Sequence, residues 1–241
     1  MATFAQLMDR IKDEMDLHDS NSNPAQTLFV SDKDLRVYLN AAVRDAEKEI
    51  HNLFEDYFLS ITDLTMTLDS KIVTFPSNIY ANKIRKLFYF PTDKNNRYEI
   101  KRIIDKTLLM DIEDNDDYMY QIVNDSTNGN HIELNPASRE TSTLLKCLYI
   151  RNAKTIATDG TEDSEMLDIP ECEDFIIAHV KAAVYENDGD PRMQKAEQKT
   201  EKERGQMIKS LNRSVPDEDT LIKQDLSFYD DFSGYNDIII G

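Results

Sequence analysis

The residues able to do chemistry are few and scattered. Four histidines, His18, His51, His131 and His179, fall at no metal-ligand spacing, and the two cysteines, Cys147 and Cys172, are not paired with them in any nucleophile motif. Zinc or thiol chemistry is therefore not expected, and the histidines read as solvated or hydrogen-bonded. Cys147, inside Leu144-Leu145-Lys146-Cys147-Leu148, reads as a small core residue. Cys172 follows Pro170 at the start of a helical pattern, a place that lowers a thiol pKa. The run Asp111-Ile112-Glu113-Asp114-Asn115-Asp116-Asp117 resembles the opening of a calcium loop, but Asp116 stands where the sharp turn needs glycine and Ile122 where a bidentate carboxylate is needed. No Gly-x-Ser-x-Gly and no glycine-rich phosphate loop is present, and carboxylates are too numerous for one pair to stand out as acid and base. These residues predict no catalytic, cofactor or metal site.

Composition narrows the function further. The chain has 241 residues, 28 basic against 46 acidic side chains, and a formal charge of −18. Binding nucleic acid through phosphates needs the opposite balance. Its longest apolar runs, such as Phe175-Ile176-Ile177-Ala178 and Ile238-Ile239-Ile240, fall far short of the ~20 residues that cross a bilayer. The opening residues show no basic stretch followed by an apolar one, so no secretory signal is expected. At 40% hydrophobic and 31% charged, most of the chain should fold around its own core without metals or disulfides.

Periodicity divides the chain. Thr3 and Gln6 form a capping box, followed by Phe4, Leu7, Met8, Ile11 and Met15 at helical spacing. A second helix begins at Ser31, with Leu35, Leu39, Ala42, Val43, Ala46, Ile50, Leu53, Phe54 and Tyr57 on its apolar face and Arg44, Glu47, Lys48 and Glu55 away from it. From residue 61 the period becomes 2. Leu64, Met66 and Leu68, the turn Asp69-Ser70-Lys71 and Ile72–Phe75 read as a hairpin. Ile84–Phe90, Tyr98–Arg102, Tyr118–Val123, His131–Leu134 and Leu144–Arg151 are further strands, and Ile104–Ile112 a short helix. Helix returns after Pro170, with Phe175, Ala178, His179, Ala182, Ala183 and Tyr185 or Glu186 at helical spacing, and Gly189-Asp190-Pro191 stops one helix and starts the next. That last helix, Arg192–Leu211, is polar on most faces and long enough to project from a small domain.

The expected fold is α+β: a helical body of about four main helices with an inserted small antiparallel β domain and an extended C-terminal arm. The boundaries expected are N-terminal helices over 1–60, the β domain over 61–155, C-terminal helices over 156–212 and the arm over 213–241.

Charge is blocked along the chain. Lys83–Lys106 holds eight basic and three acidic residues, whereas Thr107–Asp125 holds six acidic residues and no basic one. Thr155–Asp174 holds eight acidic residues and no basic one. Blocks of this kind are either a solvated surface or complementary patches between copies. In the second case Lys83, Arg85, Lys86, Lys101 and Arg102 of one subunit would meet Asp114, Asp116 and Asp117 of its neighbour, head to tail. The tail places Leu226, Phe228, Tyr229, Phe232, Tyr235 and Ile238–Ile240 among Asp and Ser without a period, as in an arm that orders on a partner.

One succession of motifs is distinctive. Two helices lead into Tyr120-x-Ile122 and Asn128-Gly129-Asn130-His131-Ile132-Glu133-Leu134-Asn135-Pro136; then come Leu148-Tyr149-Ile150-Arg151, Ile169-Pro170, the helix Phe175–Glu186, and Asp190-Pro191 before a long charged helix. Over residues 3–212 this resembles the head-to-tail adaptor (connector or ring) proteins of tailed bacteriophages, in particular podovirus-like and crAss-like ones. The resemblance implies a non-enzymatic virion protein without cofactors, made in the host cytoplasm. It implies a ring, usually of twelve copies, under the portal at the head–tail junction, which extends the DNA channel and is the platform for downstream tail, nozzle or tube proteins. DNA would pass without specific binding, and an acidic lining repels phosphate only within the ~8 Å screening length. The arm residues Leu226, Phe228, Tyr229 and Phe232 would then contact the portal. Competing readings are another virion collar or tail-completion protein and, from a different class, an acidic metal-dependent hydrolase.

Overall fold

A computed structural model describes residues 2–15, 30–90, 98–103, 118–139 and 141–214. The predicted helix over 104–112, the acidic run 111–117 and the tail from 215 onward lie outside these residues, as does His18. The fold is α+β, with four α-helices and two largely antiparallel sheets among the described residues. The chain divides into two compact units, Met1–Ala46 with Lys154–Gly241 and Glu47–Ala153.

The first unit is helical. Helix α1 (Phe4–Glu14) starts on the predicted capping box: the Gln6 amide donates to Thr3 Oγ1 at 3.2 Å and the Thr3 amide to Gln6 Oε1 at 3.0 Å. Two further amides at this end, of Phe4 and Ala5, donate to the carbonyls of Glu165 and Asp163, so donors that a helix leaves open are satisfied by the acidic segment. Helix α2 (Asp32–Leu53) begins after Ser31, whose hydroxyl accepts from the Asp34 amide. Leu35, Leu39, Ala42, Val43 and Ala46 are buried as expected, and Ile50, in the second unit, is too. Leu53 is not: it is 41% exposed, and the helix ends there, leaving Phe54 and Tyr57 in the turn that follows. After the 3₁₀ turn Pro170–Cys172, α3 (Glu173–Asn187) buries Phe175, Ile176, Ile177, Ala178, Val180, Val184 and Tyr185. Burial on this many sides makes α3 the central helix, so Ala182 and Ala183 are only half-buried. Gly189 has φ +64° and Asp190 caps the next helix through the Arg192 amide. Helix α4 (Met193–Ser214) does not stand free of the unit; it packs on α3, and Met207 and Leu211 are buried.

A segment between the last strand and α3 is strapped onto α2. Arg36 donates from Nε and Nη2 to both oxygens of Asp163 (2.8 and 2.5 Å). One turn on, Asn40 pairs with the Ile156 backbone, donating from Nδ2 to its carbonyl (2.8 Å) and accepting from its amide (3.0 Å).

The second unit is a two-sheet sandwich. Sheet one has the order β1(Leu59–Met66)–β8(Ser142–Arg151)–β3(Ile79–Tyr89)–β4(Tyr98–Glu99); sheet two has β2(Ile72–Thr74)–β7(Gly129–Asn135)–β6(Met119–Asp125)–β5(Lys101–Arg102). Leu64, Met66, Val73, Leu87, Ile100, Tyr120, Ile132, Leu134, Leu145, Cys147 and Tyr149 fill the core. Two expectations are corrected. Leu64–Phe75 is not a hairpin, because β1 pairs with β8 and β2 with β7. The turn at 69–71 is a corner between sheets: Asp69 has φ +60°, its amide donates to the Ser138 carbonyl, and the Ser138 amide donates back to Ser70. Nor is Tyr98–Arg102 one strand. Buried Ile100 donates to the Leu87 carbonyl and carries the chain across, so β4 pairs in sheet one and β5, parallel, with β6 in sheet two. The predicted turn at Asn128-Gly129-Asn130 closes the β6–β7 hairpin, with Gly129 at φ +64°.

Candidate interaction surfaces

Three residues of the basic block, Lys83, Arg85 and Lys86, are paired within their own chain. Lys83 Nζ lies 2.8 Å from Glu55 Oε1, and Arg85 Nη2 lies 2.7 Å from both Glu55 and Asp56. The Lys83 and Arg85 bonds hold the Glu55 carboxyl down at about 2. Lys86 reaches Glu99 at 3.3 Å. Lys101 and Arg102 are exposed on β5. Asp114, Asp116 and Asp117, and the arm residues Leu226, Phe228, Tyr229 and Phe232, lie outside the described residues.

The acidic segment 155–174 is likewise used for folding. Asp163 takes Arg36, whose guanidinium keeps its carboxyl below the usual range. Asp159 accepts from the Thr161 amide and hydroxyl, Asp168 from the Lys154 amide, and Asp174 from Arg10 at 2.8 Å. A charge block in the sequence had looked like free surface; much of it is turned onto neighbours within the same unit.

Both cysteines are buried, and burial pushes each to about 12. For Cys172 this overturns the expectation of a lowered value: the loss of water outweighs the helix terminus, and Glu171 and Asp168 add to it. Among the described residues no group of three His, Cys, Asp or Glu is gathered as metal ligands, and no helix is long and apolar enough to cross a membrane.

Sequence reasoning missed a cluster at the C-terminal end of α2. His51 is 8% exposed, stacks on Tyr80 at 3.8 Å between ring centres, and leaves both ring nitrogens without a hydrogen-bond partner. It is thus not solvated, and desolvation, helped by Lys83 and opposed by Glu55, lowers its pKa. Glu47, expected on the polar face, is buried, 3.7 Å from His51 and accepting from the Ala153 amide at 2.7 Å. Tyr80 reaches His51 because β3 carries consecutive left-handed residues, Ala81 (φ +47°) and Asn82 (φ +57°), where its register on β8 shifts. No sequence signal marks that bulge, since neither residue is glycine.

A second surface was also missed. Leu59 (42% exposed) and Ile61 (67%) face out from β1, and Leu68 (52%) and Ile72 (38%) flank the corner into β2. Both strands are edges of their sheets. A signal existed: the apolar positions of β1 switch parity between Ile61 and Leu64, so the strand presents apolar groups on both faces.

The family model of the SU10 adaptor protein matches residues 2–221, and the chain belongs to that family of bacteriophage head–tail adaptors. It is a phage structural adaptor, a virion protein that acts with other virion proteins. No curated protein matches the chain.

Proposed function

We propose that the protein forms an oligomeric ring, of twelve copies, beneath the portal at the head–tail junction, where it extends the DNA channel and gives the tail its attachment platform. The family match across residues 2–221 carries this reading. The charge of −18 supports it, since a conduit for DNA must not hold phosphate. Lys101 and Arg102, exposed on β5, are the basic groups best placed to receive a neighbour's acidic run at Asp114, Asp116 and Asp117; Lys83, Arg85 and Lys86 would have to exchange their present carboxylates to join them. Leu226, Phe228, Tyr229 and Phe232 are assigned to portal contact.

Native mass spectrometry of the full chain, alone and with portal protein, is the test. Ring-sized species, formed alone or only on the portal, are expected, and Lys101→Glu with Arg102→Glu should weaken them. A chain that stays monomeric with the portal present, and is absent from purified particles, refutes the ring.

A further inference from the structure

The open side of the sandwich is built to receive a strand. Sheet one ends at β1 and sheet two at β2, and the 67–71 corner joins them. Four of the seven large apolar side chains exposed among the described residues, Leu59, Ile61, Leu68 and Ile72, stand on this side. Its backbone orientation follows from the ladder. The Arg151 amide donates to the Phe58 carbonyl, and Leu59 lies opposite Ile150. Antiparallel pairs alternate, so Ser60 and Thr62 bond to β8 while Ile61 and Asp63 turn their N–H and C=O groups to the open edge. The Leu59 amide, on the same side, is already taken by the Asp56 carbonyl. An unprotected edge with apolar flanks is a template for strand addition.

The occupant can be named from the chain itself. Beyond Ser214, the last described residue, 27 residues follow. The last ten, Phe232-Ser233-Gly234-Tyr235-Asn236-Asp237-Ile238-Ile239-Ile240-Gly241, carry a single charge, whereas 215–231 holds six acidic residues. Three consecutive β-branched residues suit a strand and little else. From Ser214 to Ile238 the chain can span roughly 75 Å at ~3.3 Å per residue, a reach that extends to another copy. Lys83, Arg85 and Lys86 are already paired within the chain, which leaves Lys101 and Arg102 for charge contacts between copies; apolar burial and main-chain bonds can add to them.

We propose that Ile238–Ile240 of one copy adds as a strand to the β1 edge of a second copy, covering Ile61 and Leu59, so that each subunit is tied to its neighbour by its own tail segment. This rests on the reading that copies lie side by side; the proximal residues Leu226–Phe232 remain the portal contact.

Two full-length chains, one with Ile61→Cys and one with Ile239→Cys, are mixed under mild oxidant; the native Cys147 and Cys172 are buried and do not compete. A mixed disulfide dimer is expected in about tenfold excess over the control pair of Ile239→Cys with Lys195→Cys on exposed α4. Adding Asp63→Pro to the seam chain, which removes an amide facing the open edge, should abolish that excess. Yields equal to the control overturn the proposal, as does a double variant, Ile61→Cys with Ile239→Cys, that closes only within one chain. Rings that persist undiminished with Asp63→Pro sink the strand exchange and leave the ring standing; absence of any assembly on the portal sinks the ring, whatever the disulfide yield.

Discussion

Replacing Asn40 by alanine tests whether the strap over α2 is held by side-chain bonds to main chain. Asn40 gives Ile156 both a donor and an acceptor, at 2.8 and 3.0 Å, and the Ile156 side chain is 4% exposed. Alanine leaves an amide and a carbonyl open beside a buried side chain. Each such group costs about 1–3 kcal/mol when it cannot reach water. Partial access of water at this half-buried site reduces the pair to about 2–3 kcal/mol, equivalent to a fall of roughly 5–10 °C in the melting temperature of a chain this size. Asn40→Asp keeps the acceptor for the Ile156 amide and loses the donor, so it should fall between. Val37→Ala, on the same helix at a position 48% exposed, should stay within about 0.5 kcal/mol. Denaturant melts followed by circular dichroism give the stabilities, and hydrogen exchange over residues 154–163 locates the loss. If Asn40→Ala costs no more than Val37→Ala, or the strap keeps its protection, the bonds do not hold it.

Gly160 has φ +85°, and an added Cβ would lie 2.7 Å from Arg36 Nη2; Gly160→Ala should cost about 1–2 kcal/mol of backbone strain and release the Arg36–Asp163 pair, seen as a lower urea midpoint. His51 binds its proton more weakly folded than unfolded, so the unfolded chain takes up more protons as pH falls below about 6.5. Stability should therefore fall from that pH downward, above the range where carboxylates titrate, and His51→Phe should flatten the melting temperature between pH 7 and pH 5 (about one titration's width on either side of the histidine value). An unchanged slope in that variant refutes the assignment. Cys147 and Cys172 should resist a thiol reagent in the native protein and react only on unfolding, since both are buried with raised pKa values; rapid native labelling of either would contradict the packing.

What could be read locally was read correctly where the physics is local. The Thr3–Gln6 box, the Ser31 start, the Asn128-Gly129 turn and the Gly189-Asp190-Pro191 junction each satisfy their own backbone groups within a few residues. Strand pairing was not legible, because Leu64–Met66 and Ile72–Thr74 alternate as a hairpin would, whichever strands they join. Their true partners lie 57 to 81 residues away in sequence, on β8 and β7. Charge misled for a related reason: composition counts Lys83, Arg85, Asp163 and Glu55 as surface, while only the fold decides that each already faces an opposite charge.

By itself, then, the sequence determined the helices, the α+β class, the want of a metal or nucleophile motif and, through the order of its motifs, the adaptor family. Tertiary structure alone decided which edges stay open at Ile61 and Asp63, that Glu47 and His51 are buried, and that Arg36 and Asn40 clasp the acidic strap. The reason is range. Caps and turns are settled by neighbours a few residues away, whereas burial and pairing depend on groups that only the folded chain brings together.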